Sequence, residues 1–293
     1  MLKFISLIFL ITIVAFICWN NSLSANNSQN DFIKKQVVYK IPNMDKVIVQ
    51  NVEYKTINHT TLTMDIYYPL GLKSDSRLPV VIFVFGYADS TAIRMIGSKL
   101  KNIGQYISWG RLSAASALIA ITYESQKPDY DINEVISYIR QNSASLKIDK
   151  NKIGVWSCSG NVPTALSVIM QEPRDYLKCA VLYYGFMLDW DESHKVAEMA
   201  EKMGFFYPLT TKTFEDLPQD VPLFIVRVGF EETPYLNETM DQFVVEAVAR
   251  NVPMVFINYS DGHHGFDCYD DNDKSREIIK QTLEFMKTHL LSQ

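Results

Sequence analysis

Lys152-Ile153-Gly154-Val155-Trp156 leads straight into Ser157-Cys158-Ser159-Gly160-Asn161, and a helical stretch follows that ends near Met170. An apolar β-rich run, a turn of small and polar residues and a helix start, in that order, describe a strand passing through a tight turn into a helix. Outward from this stretch the same grammar repeats. Short apolar runs stand at Val80 to Phe85, Leu118 to Tyr123, Cys179 to Tyr184, Val221 to Val228 and Met254 to Tyr259. Each is too short for a helix and apolar on both faces, as buried parallel strands are. Between them apolar residues recur at helical spacing: Ile132, Val135, Ile136 and Ile139, then Met240, Phe243, Val244, Ala247 and Val248, then Ile278, Ile279, Leu283 and Met286. Buried strands alternating with one-faced helices predict an α/β domain with a mostly parallel sheet, right-handed crossovers and helices on both faces. Upstream, Val47 to Tyr54 and Thr61 to Tyr68 alternate around the polar Asn58-His59-Thr60, which predicts an antiparallel hairpin at the N-terminal end of the sheet.

The N-terminus is of another kind. Lys3 precedes an uncharged run from Phe4 to Trp19, and Asn20 to Ser28 is small and polar, the order of a secretory signal. Residues 1–25 therefore read as a signal peptide or an uncleaved N-terminal anchor, and the protein as exported, periplasmic or secreted, or membrane-tethered if the segment stays. Residues 26–45, rich in Asn, Ser and Lys, read as a linker, and 46–293 as one domain. From Gly185 to Gln219 the connection is too long for an ordinary crossover, and residues 186–219 read as a cap insertion over the strand ends.

Composition excludes several classes of function. The chain has 293 residues, 28 Lys plus Arg against 33 Asp plus Glu and a net charge of −5, with the positive charges scattered, so nucleic acid is not an expected partner. The four cysteines lack metal-ligand spacing, and no phosphate-binding or calcium-binding loop appears; no metal or cofactor is expected. Membrane contact is expected only through residues 1–25, if they are not removed.

Chemistry must then come from ordinary side chains. A serine on a strand-to-helix turn has its hydroxyl lifted above the sheet, and the next residue's N–H can hold an oxyanion at the helix start. With Ser159 as nucleophile, the residues two before and two after, glycine in the usual G-x-S-x-G, are Ser157 and Asn161. With Cys158 they would be Trp156 and Gly160, and an indole fits poorly where strand and helix nearly touch. A serine needs a base and the base an orienting carboxylate. After the strand at Val221 to Val228 comes Gly229-Phe230-Glu231-Glu232, and after that at Met254 to Tyr259 comes Ser260-Asp261-Gly262-His263-His264-Gly265-Phe266-Asp267. Both segments lie at the carboxyl ends of strands, where open α/β sheets build their sites.

In this order of serine, carboxylate and histidine the chain resembles the α/β-hydrolase superfamily, and within it the dienelactone-hydrolase-like and small exported carboxylesterase branches, over nearly all of residues 46–293. The resemblance implies an α/β-hydrolase fold, Ser159 as nucleophile, Glu231 or Glu232 as acid, with Asp241 or Asp267 as further candidates, and His264 of His264-Gly265-Phe266 as base, His263 pointing away. It also implies oxyanion donors at Tyr87, in Gly86-Tyr87-Ala88-Asp89-Ser90, and at Gly160. The activity implied is hydrolysis of small carboxylic esters through an acyl-enzyme. The cap aromatics Trp190, Phe205, Phe206 and Tyr207 are expected to line a substrate pocket, and Asp89 to cap the helix starting near Ser90. Lactone hydrolysis with Cys158 as a possible nucleophile, peptide hydrolysis, and a non-catalytic exported binding protein on the same fold are the alternatives.

Overall fold

The computed structural model describes residues 31–189 and 194–291. The expected strands all form, as one sheet: β1 (Ile48–Ile57), β2 (Thr60–Tyr68), β3 (Leu78–Phe83), β4 (Ile119–Tyr123), β5 (Ile148–Cys158), β6 (Leu177–Tyr183), β7 (Leu223–Phe230) and β8 (Met254–His263). Their order is β1-β2-β4-β3-β5-β6-β7-β8. β2 pairs antiparallel with β1 and β4, and all other pairs are parallel. The hairpin turns at Asn58 and His59, with φ of 47° and 65°, the positive angles that a two-residue turn needs to match the twist of its strands.

Helices α1 (Asp89–Ile96), α2 (Gly104–Ala115), α3 (Pro128–Gln141), α4 (Val162–Ile169), α5 (Lys195–Met203), α6 (Leu236–Ala249), α7 (Phe266–Tyr269) and α8 (Asp273–Leu291) fill the connections. α2 packs on β4 and β2, α8 on β3, β5 and β6, α3 and α4 on β5, and α6 on β7. From Ile153 to Cys158 every residue of β5 is buried, so both faces of the central sheet are covered. Its heart is aromatic: Trp156 lies 5.2 Å from Trp109 and 5.3 Å from both Phe83 and Tyr183 between ring centroids. The indole that makes Cys158 a poor elbow residue is thus the centre of the core.

The topology fixes where a site can form. After β3 the chain goes outward to β4, then returns past β3 to β5, so the crossovers diverge between β3 and β5. At such a switch point the loops after both strands lean apart and leave a crevice at the carboxyl ends. Gly86 follows β3 and Ser159 follows β5.

Two expectations require correction. Residues 31–45, expected as part of a linker, belong to the domain: Val37 is 1% exposed, its N–H donates to Ser108 Oγ at 2.9 Å, and the Val38 N–H donates to the Asp267 carbonyl at 2.8 Å. Asp89 does not cap α1; it is that helix's first residue, Ala88 holds the cap position, and the Asp89 carboxylate stands 3.9 Å from Lys99 Nζ. Burial of the loop turned this carboxylate toward a lysine instead of the helix N–H groups. The expected signal or anchor, residues 1–25, lies outside the described residues, and among these no helix is long and apolar enough to cross a membrane.

Candidate active site

Ser159, the residue after β5, has φ of +56°, a left-handed backbone that costs a non-glycine residue on the order of 1–3 kcal/mol and persists only where its surroundings enforce it. The enforcement is visible. Ser157, fully buried, donates its hydroxyl to the Val84 carbonyl at 3.1 Å, tying β5 to the end of β3. Asn161, 4% exposed, accepts from the Gly86 N–H at 2.7 Å and donates its amide to the Cys158 carbonyl at 3.1 Å and to Tyr106 Oη at 3.0 Å. The two departures from the glycine pattern thus act as struts holding the elbow against the neighbouring loop. Glycine is needed at two other positions. A Cβ on Gly86 would meet the Gly160 carbonyl at 2.6 Å, and one on Gly160 would meet the Tyr87 hydroxyl at 2.5 Å.

Ser159 Oγ is 2.9 Å from His264 Nε2, and His264 Nδ1 is 2.6 Å from Glu231 Oε2. His264 comes just after β8, and Glu231 just after β7. The second Glu231 oxygen accepts the Thr233 N–H at 2.8 Å. Burial alone would push this carboxyl up; the bond and charge of His264, with the Thr233 donors, outweigh it and hold Glu231 below the usual carboxylate range. An ionised carboxylate on Nδ1 keeps that nitrogen protonated and leaves Nε2 to accept the serine proton. One face of the imidazole is held by Tyr184, whose ring centroid lies 4.7 Å away.

The other candidates for these roles sit elsewhere. Glu232 is exposed. Asp241 pairs with Arg227 at 2.7 Å. Asp267 is fully buried and accepts from Tyr184 Oη at 2.5 Å, Trp109 Nε1 at 2.8 Å and Gln105 Nε2 at 2.9 Å. His263 turns outward to Asp270 at 3.1 Å. Cys158 is 4% exposed, contacts Tyr106 Oη at 3.5 Å, and burial pushes its thiol up to about 12, which leaves almost no thiolate at neutral pH.

A cavity of about 190 Å³ opens beside Ser159 and His264. Its walls come from the segment after β3 and from the N-terminus: Tyr87, Met95 and Ile96, Leu100 and Ile103, and Phe32. Gln105, Tyr106 and Tyr184 give it a polar side. The cap aromatics expected here are not among its lining residues. Phe205 is 4% exposed and stacks on Phe186 at 5.1 Å and edge-on to Tyr87 at 6.1 Å; the Phe206 N–H donates to the Gly86 carbonyl at 2.7 Å; Tyr207 Oη accepts the Asp189 N–H at 2.8 Å. Trp190 lies outside the described residues. A short helix such as α5 needs an apolar anchor, and Phe205 with Phe186, Val196 and Leu236 supplies it. Phe205 thus packs between the cap and Tyr87, and Phe206 holds the Gly86 carbonyl through its backbone while its ring stays exposed. The residues that line this cavity escaped sequence reading because Met95 to Ile103 has no strand-like run and Phe32 sits in a polar stretch. Among the described residues no group of His, Cys, Asp and Glu could hold a metal ion.

No family model and no curated protein matches the chain. Solved structures do. A thermophilic esterase from Thermogutta terrifontis, Est2, superposes with a TM-score of 0.61 at 17% identity, over 84% of this chain and 94% of the esterase. The same esterase phosphoramylated by tabun gives a TM-score of 0.59 at 17% identity, over 85% and 96%. A fungal esterase from Rhizomucor miehei gives a TM-score of 0.65 at 16% identity, over 96% and 91%. The likeness is one of fold: an eight-stranded, mostly parallel sheet with an antiparallel β1-β2 pair and helices around it, the α/β-hydrolase fold.

Proposed function

We propose that this chain is a serine hydrolase that cleaves small carboxylic esters through an acyl-enzyme on Ser159. The observation that carries the reading is the relay from Ser159 Oγ to His264 Nε2, 2.9 Å, and from His264 Nδ1 to Glu231, 2.6 Å. In the proposed cycle, His264 takes the Ser159 proton as Oγ bonds to the ester carbonyl carbon. The negative charge on the carbonyl oxygen is met by the N–H groups of Tyr87 and Gly160, the first in the loop that the Gly86–Asn161 bond ties to the elbow. When the tetrahedral centre collapses, His264 passes its proton to the leaving alcohol oxygen. Water then gives a proton to His264, attacks the acyl carbon, and releases the acid and a reprotonated serine. Glu231 stays ionised throughout and orients the imidazole. A Cys158 nucleophile, as in the dienelactone-hydrolase-like branch, has the buried neutral thiol against it.

The sequence of residues 1–25 adds export to the proposal. Solved esterases of this fold support the ester specificity by analogy, and one of them is phosphorylated by paraoxon. The test uses the full chain with p-nitrophenyl acetate and with paraoxon, followed by mass spectrometry, which also reads whether residues 1–25 are removed on expression. Wild type and Cys158→Ala are expected to turn over and to label once, at Ser159. Ser159→Ala and His264→Ala are expected to lose roughly 10³-fold or more in kcat, and Glu231→Gln about 10²- to 10⁴-fold, whereas Glu232→Gln stays within about threefold. Labelling or turnover that survives Ser159→Ala would overturn the reading.

A further inference from the structure

We infer that Asp267, which takes no part in the relay, is a positioning residue that holds the catalytic imidazole by way of Tyr184; this rests on the esterase reading above. Asp267 is fully buried, and its three partners are all donors: Tyr184 Oη at 2.5 Å on one oxygen, Trp109 Nε1 at 2.8 Å and Gln105 Nε2 at 2.9 Å on the other. Two of these donors, Tyr184 and Gln105, also line the cavity beside Ser159. Apolar residues packed in the place of a buried charge often leave a fold as stable or more so. Stability alone therefore does not account for a carboxylate here.

One ring connects Asp267 to the imidazole. Tyr184 directly follows β6 and has φ of +30°, a positive angle that a bulky residue rarely adopts. Its N–H donates to the Val226 carbonyl at 2.8 Å, and its hydroxyl, besides donating to Asp267, accepts from Gln105 Nε2 at 3.1 Å. Backbone and hydroxyl are both fixed, and the ring between them stands 4.7 Å from that of His264. Glu231 grips the imidazole at Nδ1, while a third of the His264 side chain is open to solvent. Tyr184, 1% exposed, packs on it from the protein interior. Nε2 has to meet Ser159 Oγ and then the leaving oxygen, and a displacement of about 1 Å in such a group costs on the order of 10²-fold in rate.

The experiment measures kcat and KM for p-nitrophenyl acetate with the full chain, Tyr184→Phe, Asp267→Asn, the double variant and Tyr184→Leu, per active site titrated to completion with paraoxon, with thermal unfolding of each. Acylation and deacylation both pass a proton through His264, so a misplaced imidazole slows both and leaves KM nearly unchanged. Tyr184→Phe and Asp267→Asn are each expected to lose about tenfold in kcat, with KM within about twofold. Because one acts through the other, the double variant should also lose about tenfold, where independent effects would multiply to about a hundredfold. Tyr184→Leu, which removes the ring itself, should lose on the order of 10²-fold. If Asp267→Asn does not fold, the two Tyr184 variants decide: a kcat for Tyr184→Phe equal to that of wild type overturns the hydroxyl anchor. Losses that multiply overturn it too, as does a raised KM at unchanged kcat, the mark of a substrate contact; each leaves the esterase standing. Wild type that neither turns over nor labels would overturn both.

Discussion

At the scale of single residues, Asn161 carries the most information. A glycine two places after the nucleophile is ordinarily explained by crowding between strand and helix, yet here an amide side chain fits, because it takes up three polar partners at that crossing: the Gly86 N–H, the Cys158 carbonyl and Tyr106 Oη. One of them, the Gly86 N–H, opens the loop whose Tyr87 N–H is proposed to hold the oxyanion. Asn161→Gly would restore the common pattern and leave that buried N–H without its acceptor, a loss of about 1–3 kcal/mol for each unsatisfied group. The variant is expected to be less stable by about 2–3 kcal/mol in urea unfolding and to lose about tenfold or more in kcat on p-nitrophenyl acetate, with a smaller change in KM. A neutral or stabilising substitution would mean that the elbow is held by packing alone.

At the scale of elements, sequence and structure agree where burial dictates pattern and diverge where it does not. Strands such as Val80 to Phe85 and Cys179 to Tyr184 were legible because burial on both faces admits only apolar residues. Ser159, Glu231 and His264 were legible because each immediately follows a strand, β5, β7 or β8, at the carboxyl end of the sheet, where the topology brings them together. The strap at residues 31–38 was not, since its attachment runs through backbone groups that any sequence supplies: the carbonyls of Lys34 and Lys35 and the N–H groups of Val37 and Val38. The packing of Phe205 was not legible for the converse reason, because a phenylalanine anchoring a short helix and one lining a pocket are the same letter. The strap gives its own prediction. Gly104 has no left-handed backbone, so alanine there favours helix α2 by up to about 1 kcal/mol, but its Cβ would fall 2.5 Å from the Lys35 carbonyl. Gly104→Ala is therefore expected to release the strap: limited proteolysis should cut within residues 31–40 well before the rest of the domain. Equal protection of wild type and variant would show that the strap is held by Val37 and Val38 without the close approach at α2.

At the scale of the whole molecule, one group of charges joins the antiparallel edge to the parallel sheet. Lys55 of β1 reaches Asp131 of α3 at 3.0 Å, Lys101 reaches Asp65 of β2 at 3.0 Å, and Lys99 reaches Glu124 at 2.6 Å and Asp89 at 3.9 Å. Three lysines thus face four carboxylates, and the one with the long contact is Asp89. Burial pushes its carboxyl up to about 6, with Lys99 opposing and Glu124 adding to the rise. The folded state therefore holds this proton more tightly than the unfolded chain does. Its stabilising effect is complete below the ordinary carboxylate value near 3.8 and is lost as pH rises through about 6. Asp89→Asn, which cannot ionise, is free of that loss. The stability of Asp89→Asn relative to wild type, from urea unfolding, should grow by on the order of 2–3 kcal/mol between pH 4 and pH 7.5. Acid effects of the remaining carboxylates are common to both proteins and cancel in the difference. A difference that stays flat across this range would mean that Lys99 neutralises Asp89 as fully as it does Glu124, and that the cluster carries no excess charge into the fold.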